Sequence, residues 1–244
     1  MAKIISVLNH KGGVGKTTTS IHIGRSLADM GQKVLVVDFD PQANATIHLG
    51  IQEPGKNIAD AILRSEPLPY SEISDNFYLC EGSLELASAE KEFAGSVSVY
   101  IRLKKALSGI KDKFDYIFID CPPSLGFFTI NALVAANRAL IVTNPTKLAI
   151  QGIPTVLDLI EEVQETNPEL QLMGVLIADS EKLIASSVIE EHLRQEDFRV
   201  FDTVIRHYKH YKEASIVGQT VHDFAPTHKA LEDYNNLAME VMNG

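Results

Sequence analysis

Apolar residues along this chain fall into two alternating rhythms. Short, nearly continuous apolar runs read as buried strands: Lys3–Asn9 (KIISVLN), Lys33–Asp40 (KVLVVDFD), Phe77–Gly82 (FYLCEG), Phe114–Pro123 (FDYIFIDCPP), Ala139–Asn144, Leu170–Ala178 and Val200–Ile205. Between them, apolar positions recur at helical spacing. The first such stretch follows Thr17, with Ile21, Gly24, Leu27 and Ala28 on one face and Gly31 as its stop. Others run through Ser98–Ile110, Thr129–Ala136, Thr155–Thr166, Ser186–Gln195 and about Thr227–Met242. Strand and helix in alternation, with strands apolar on both sides, predict an α/β fold: a mostly parallel twisted sheet flanked by helices. No linker or internal repeat interrupts the pattern, so one domain over residues 1–244 is expected. The Pro-punctuated stretch Ile51–Asn76 is expected to lie irregularly across the surface.

The formal charge of −10 over 244 residues excludes a broadly basic surface. Any nucleic-acid binding has to come from a local patch, or from one doubled by dimerisation. The apolar runs are strand-sized, and none is long enough to span a membrane. Cys80 and Cys121 form neither a metal-type nor a redox-type spacing. With no signal-peptide pattern at the start, a cytoplasmic location is expected. The first strand begins near Lys3, so no helix-turn-helix extension is expected before it.

The chemistry concentrates where strands end. Lys11-Gly12-Gly13-Val14-Gly15-Lys16-Thr17-Thr18 joins the first strand to the first helix. Glycines let the backbone curl so that its N–H groups converge on phosphate oxygens, and the helix dipole favours the same anion. The common phosphate-loop pattern has Gly five positions before the Gly-Lys pair; here His10 stands there. Lys16 is placed to reach the β- and γ-phosphates, Thr17 to offer its hydroxyl to Mg²⁺, and Thr18 to bond the α-phosphate of ATP. Asp38 and Asp40 end the second strand, and Asp120 ends the run YIFID. Residues two apart on a strand face the same way, so Asp38 and Asp40 are expected to point together toward the loop. Asp40 is assigned to the attacking water, and Asp38 and Asp120 to the metal through water. His10 is expected to pack or cap.

The motifs KGGVGKTTT, VLVVDFDPQAN, FDYIFIDCPPSLG and TVIRHYKHYKEASIVGQTV resemble the ParA family of deviant Walker A ATPases, which also includes MinD and the nitrogenase iron protein. The resemblance implies that Lys11 is the signature lysine, reaching across an ATP-dependent homodimer to the partner's nucleotide. It implies non-specific DNA binding by the ATP-bound dimer, with Lys182, Arg206, Lys209, His210 and Lys212 at the matching basic positions. The family more often has Pro-Arg where Arg206 and His207 stand. It also implies a stimulating partner, a ParB-like or cargo-adaptor protein with a basic N-terminal segment, and a nucleoid-associated location. Plasmid, chromosome and protein cargo all remain open.

Two rivals belong beside that reading. A MinD-like membrane ATPase needs a basic amphipathic C-terminal helix, whereas no lysine follows Lys229. An ATP-dependent small-molecule synthetase on the same fold needs its own substrate pocket. Iron–sulfur electron transfer is set aside, since Cys121 sits where a small buried side chain suffices.

Overall fold

The computed structural model describes residues 2–93 and 97–244. Its strands are β1 (Lys3–Leu8), β2 (Val34–Asp38), β3 (Ser71–Ser74), β4 (Phe77–Cys80), β5 (Tyr116–Asp120), β6 (Arg138–Thr143), β7 (Gln171–Ser180) and β8 (Val200–Arg206). They form one sheet in the order β3-β4-β2-β5-β1-β6-β7-β8. Neighbours are parallel except β3 and β4. The first six helices are α1 (Lys16–Asp29), α2 (Asn44–His48), α3 (Ile58–Leu63), α4 (Ser88–Glu92), α5 (Arg102–Ser108) and α6 (Phe127–Ala135). Then come α7 (Lys147–Gln151), α8 (Ile153–Gln164), α9 (Ile184–Leu193), α10 (Lys209–Ile216), α11 (Val221–Phe224) and α12 (Lys229–Asn243).

Side-chain alternation splits the core in two. Along β1, Ile4 and Leu8 face the layer built from α3, α5, α6 and α8, while Ile5 and Val7 face α1 and α12. Both layers exclude water from the sheet, so every residue of β2 and β5 is buried. The face expected on α1 is the one that packs: Ile21, Leu27 and Ala28 are buried, with Ile23 beside them. In a sheet wound this way, ligands bind outside the carboxyl ends of the strands.

The stretch Ile51–Asn76 differs from the irregular surface segment expected of it. Asn57 caps α3 by accepting the Ala59 N–H at 3.0 Å, and Asp60 returns the bond to the Asn57 N–H at 2.8 Å. That capping box fixes six residues well enough to bury Ile58, Ala59 and Ile62. Beyond it, β3 adds an antiparallel edge strand with the polar sequence SEIS. Ser98–Ile110 also divides, into a 3₁₀ turn over Val97–Ile101 and then α5.

Candidate nucleotide site

The loop after β1 is anchored at both ends. Asn9 donates to the Val142 carbonyl at 2.8 Å and accepts the Lys11 N–H at 3.1 Å. Gly13 and Gly15 adopt φ of 72° and 94°, conformations in which a side chain is strained. Val14 is fully buried and pins the loop from beneath, while Gly12 and Gly13 stay exposed. Lys16 is buried and its ammonium donates to the Lys11 carbonyl at 3.1 Å, folded back into the loop it closes.

The three carboxylates lie beside it in different settings. Thr17 Oγ1 donates to Asp120 at 2.7 Å and Ser20 Oγ at 3.2 Å, so the first turn of α1 is tied to the end of β5. Asp38 is the register partner of Asp120 across β2 and β5. Asp38 Oδ2 accepts from the Thr46 N–H at 2.8 Å and its hydroxyl at 2.7 Å, while Oδ1 is buried with no partner among the described residues. Asp40 lies past the end of β2, takes the Gln42 N–H at 2.9 Å and borders the cleft. Asp40 lies near enough to add to the rise of the Asp38 carboxyl, but Asp40 borders the cleft and Asp38 is fully buried. The strand stops at Asp38, whose hydrogen bonds run to α2.

Burial raises the Asp120 carboxyl to about 7, with the neighbouring Asp38 adding to the rise against Thr17 and Lys16. Burial likewise raises Asp38 to about 6, opposed by its bonds from Thr46. Lys16 is pushed below the usual lysine range by burial, with Asp120 pulling it back up. Buried acids that resist ionising beside a hydroxyl present an all-oxygen donor set, the chemistry that Mg²⁺ takes. The unpartnered Asp38 oxygen is consistent with a water-bridged cation there.

Lys16, Thr17 and Asp40 line a cleft of about 560 Å³, while Asp38 and Asp120 are fully buried. One end is the loop, from Gly12 to Thr18; the other is formed by Asp179, Arg206, His207, Tyr208 and Tyr211. Asp179, at φ 54°, lies 2.6 Å from His207 Nδ1 through its Oδ1. Sequence reasoning assigned no role to Asp179, Tyr208 or Tyr211 at this end of the cleft; a signal was available in the position of Asp179 near the end of β7 and in the run after β8.

The five basic positions divide in the structure. Arg206 bonds Glu190 at 2.8 Å and Ser180 at 3.0 Å, at the rim of the cleft. Lys209 pairs with Glu213 at 3.3 Å on an exposed face of α10. His210 packs its ring on His228 with centroids 3.8 Å apart. Lys182 is exposed in the β7–α9 turn, next to the exposed apolar side chains of Leu183, Ile184 and Val188. Lys212 is exposed and borders the cleft. Lys11 is held on its own chain, with Nζ 3.1 Å from Thr146 Oγ1 and 3.5 Å from Asn144 Oδ1. His10 packs against Gly152, where an added Cβ would lie 1.9 Å from its ring. Cys80 and Cys121 are buried free thiols, pushed up by burial.

A glycine-rich strand-to-helix loop, a buried lysine at its end and a threonine bonded to a strand-end aspartate define a P-loop nucleotide-binding protein, here with a second lysine at the loop's start. The comparisons agree with that class. A profile described as an AAA domain matches residues 2–172. The chain is 37% identical to the sporulation initiation inhibitor protein Soj of Bacillus subtilis, covering 99% of this chain and 98% of that protein. It is 36% identical to the chromosome-partitioning ATPase Soj of Thermus thermophilus, covering 98% and 94%. A crystal structure described as cobyrinic acid a,c-diamide synthase from Mycobacterium smegmatis, with a bound ATP analogue and magnesium, superposes with a TM-score of 0.89 at 28% identity. It covers 100% of this chain and 95% of its own. The chain belongs to the ParA/Soj family of partition ATPases.

Proposed function

We propose that this protein is an ATP-driven positioning switch. It binds Mg·ATP in the cleft, pairs with a second copy of itself, holds non-specific DNA as the dimer, and resets by hydrolysis under the influence of a ParB-like or adaptor protein. The observation that carries this reading is the pair of lysines at the two ends of one loop. Lys16, buried beside Asp120, is placed for the chain's own nucleotide. Among the described residues, the Lys11 ammonium is held by two neutral oxygens, Asn144 Oδ1 and Thr146 Oγ1, which it can exchange for a phosphate across a two-fold axis. Two such lysines facing each other repel unless triphosphate lies between them, which makes ATP the condition for pairing. Asp40 borders the cleft and is assigned to orient the attacking water. Thr17 and Asp120 would hold Mg²⁺, whose contribution when bound is neutralisation of phosphate charge. Sedimentation with and without ATP tests the pairing: a monomer that becomes a dimer only with ATP is the expected result.

The raised carboxylates give this site a pH signature. A cation favours the ionised acids, so Mg·ATP affinity is expected to rise as pH rises through the range 6 to 7 set by Asp38 and Asp120. Calorimetry at pH near 6.5 in buffers of different ionisation heat should read net proton release on binding, and none would contradict the assignment. Stability of the free chain follows a different course. Asp38 and Asp120 bind protons more tightly folded than unfolded, so their contribution is lost as pH rises from about 4 to 7. His48 and His222, lowered to about 4 by burial, oppose this, because their contribution is lost as pH falls from 6.5 toward 4. The two sets offset, and a shallow stability profile across that window is expected in thermal melts.

DNA retention is assigned to the exposed lysines of the β7–α9 turn and α10. Arg206 contributes less because Glu190 already neutralises it. Combining Lys182→Ala, Lys209→Ala and Lys212→Ala is expected to weaken DNA binding and to flatten its log–log salt dependence by about 0.9 for each phosphate that is no longer neutralised. An unchanged slope in a filter-binding series would remove these residues. The membrane reading is disfavoured because α12 buries its apolar stripe, Tyr234, Leu237, Ala238 and Val241, in the layer shared with α1. The synthetase reading draws support from the Mycobacterium smegmatis neighbour. It predicts ATP turnover that answers to a small molecule and is indifferent to DNA.

A further inference from the structure

His22, His48 and His222 come from three separate segments and meet behind the cleft. The His22 ring lies 5.4 Å from His48 and 6.0 Å from His222, with Tyr211 and Tyr234 at 5.3 and 5.2 Å. His22 is fully buried and both its nitrogens are engaged. Nδ1 lies 2.7 Å from the Thr18 carbonyl, and Nε2 lies 3.1 Å from the Val221 backbone nitrogen. The Val221 N–H can only donate, so Nε2 accepts; the carbonyl can only accept, so the single proton sits on Nδ1. A protonated ring would leave the amide facing another donor. Burial and the two adjacent imidazoles keep His22 neutral by holding it well below the usual histidine range. It is a tie with two different ends, one on the first turn of the loop helix and one on the first amide of α11.

The rest of the cluster binds the same three regions. Thr46 of α2 holds Asp38, and His48 ends that helix. Just past α2, Gly50 approaches Gly218 beyond α10 so closely that a Cβ on Gly218 would lie 2.7 Å from the Gly50 Cα. His222 Nε2 lies 2.9 Å from Ser26 Oγ of α1. Tyr211 of α10 and His48 line the cleft themselves. An aliphatic core would fill this volume more cheaply, because His48 Nε2 and His222 Nδ1 are buried without partners among the described residues.

We propose that His22 is a positioning residue that couples nucleotide occupancy at Thr18 to the segment 209–224, the segment that carries Lys209 and Lys212. The coupling rests on the nucleotide reading of the cleft. When Thr18 is fixed by phosphate, its carbonyl fixes the His22 ring, and the ring fixes the N-terminus of α11 and the neighbouring α10. Nucleotide state thereby reaches a surface that does not touch the phosphates.

Two replacements separate the ends of the tie. Asn carries an amide near the place of Nδ1 and cannot reach Val221; Gln carries an acceptor near the place of Nε2. Hydrogen exchange of the full chain is measured with and without Mg·AMPPNP. In the natural chain, protection is expected at residues 12–18 and, by about tenfold, at 209–224, a usual size for coupling between sites. Each variant cuts one end of the tie, so His22→Asn and His22→Gln should both keep the first and lose the second. Protection at 209–224 that survives His22→Asn overturns the proposal. Loss at both segments in both variants also overturns it, because His22 then serves only the loop. Absence of protection at 12–18 in the natural chain counts against the nucleotide reading itself. A solely structural role would lower the melting temperature in both variants and leave nucleotide-dependent protection in place.

Discussion

Lys11→Ala is expected to leave a folded monomer that no longer pairs on adding ATP, with turnover lowered by about 10³–10⁵, the usual contribution of a cation supplied in trans to phosphoryl transfer. The fold should tolerate the change. Among the described residues, the Lys11 side chain bonds Asn144 and Thr146, on the rim of the loop. Thr146 also caps α7 through the Ala149 N–H at 3.3 Å, independently of Lys11. Melting temperature and far-ultraviolet circular dichroism should therefore stay close to those of the natural chain. Velocity sedimentation with ATP reads the expected loss directly. A variant that still forms the dimer would mean that Lys11 does not bridge.

The phosphate side of this account was legible in the sequence because its signals are local. Three glycines, Lys16 and Thr17 fall within one short stretch, β1 is a largely apolar run, and β2 and β5 are unbroken apolar runs ending in acids. What escaped was non-local or short. Helix α3 has six residues, too few to repeat a helical period, and its Asn57–Asp60 capping box is the signal that announces it. Strand β3 is polar and exists by pairing with β4. The bonds that engage Asp38 come from Thr46, eight residues on along the chain. The Arg206–Glu190 pair joins β8 to α9, so a cluster that reads as basic along the chain is partly neutralised in space. His22, His48 and His222 carry no shared pattern at all; topology alone assembles them.

Asp40→Ala is the second large effect expected. The carboxylate accepts one backbone N–H, from Gln42, and borders the cleft. Its removal leaves Lys16, Thr17 and Asp120 in place, so nucleotide should still bind and the ATP-bound dimer should accumulate. Turnover should fall by about 10²–10⁴, the range a positioned base or water-orienting group contributes. Phosphate release and sedimentation measured on one sample give both readouts. Hydrolysis at the natural rate would move the role elsewhere, and loss of nucleotide binding would make Asp40 a binding residue.

The two variants together test whether Lys11 acts on the neighbouring chain's nucleotide. Each is expected to be nearly inactive alone. In a mixed dimer, the site on the Lys11→Ala protomer keeps its own Asp40 and receives Lys11 from the Asp40→Ala partner, so one of the dimer's two sites is complete. ATP turnover measured on an equimolar mixture should therefore recover well above the sum of the separate variants. A mixture that remains as inactive as its components, although mixed dimers form, would place Lys11 on its own protomer's ATP and contradict the account.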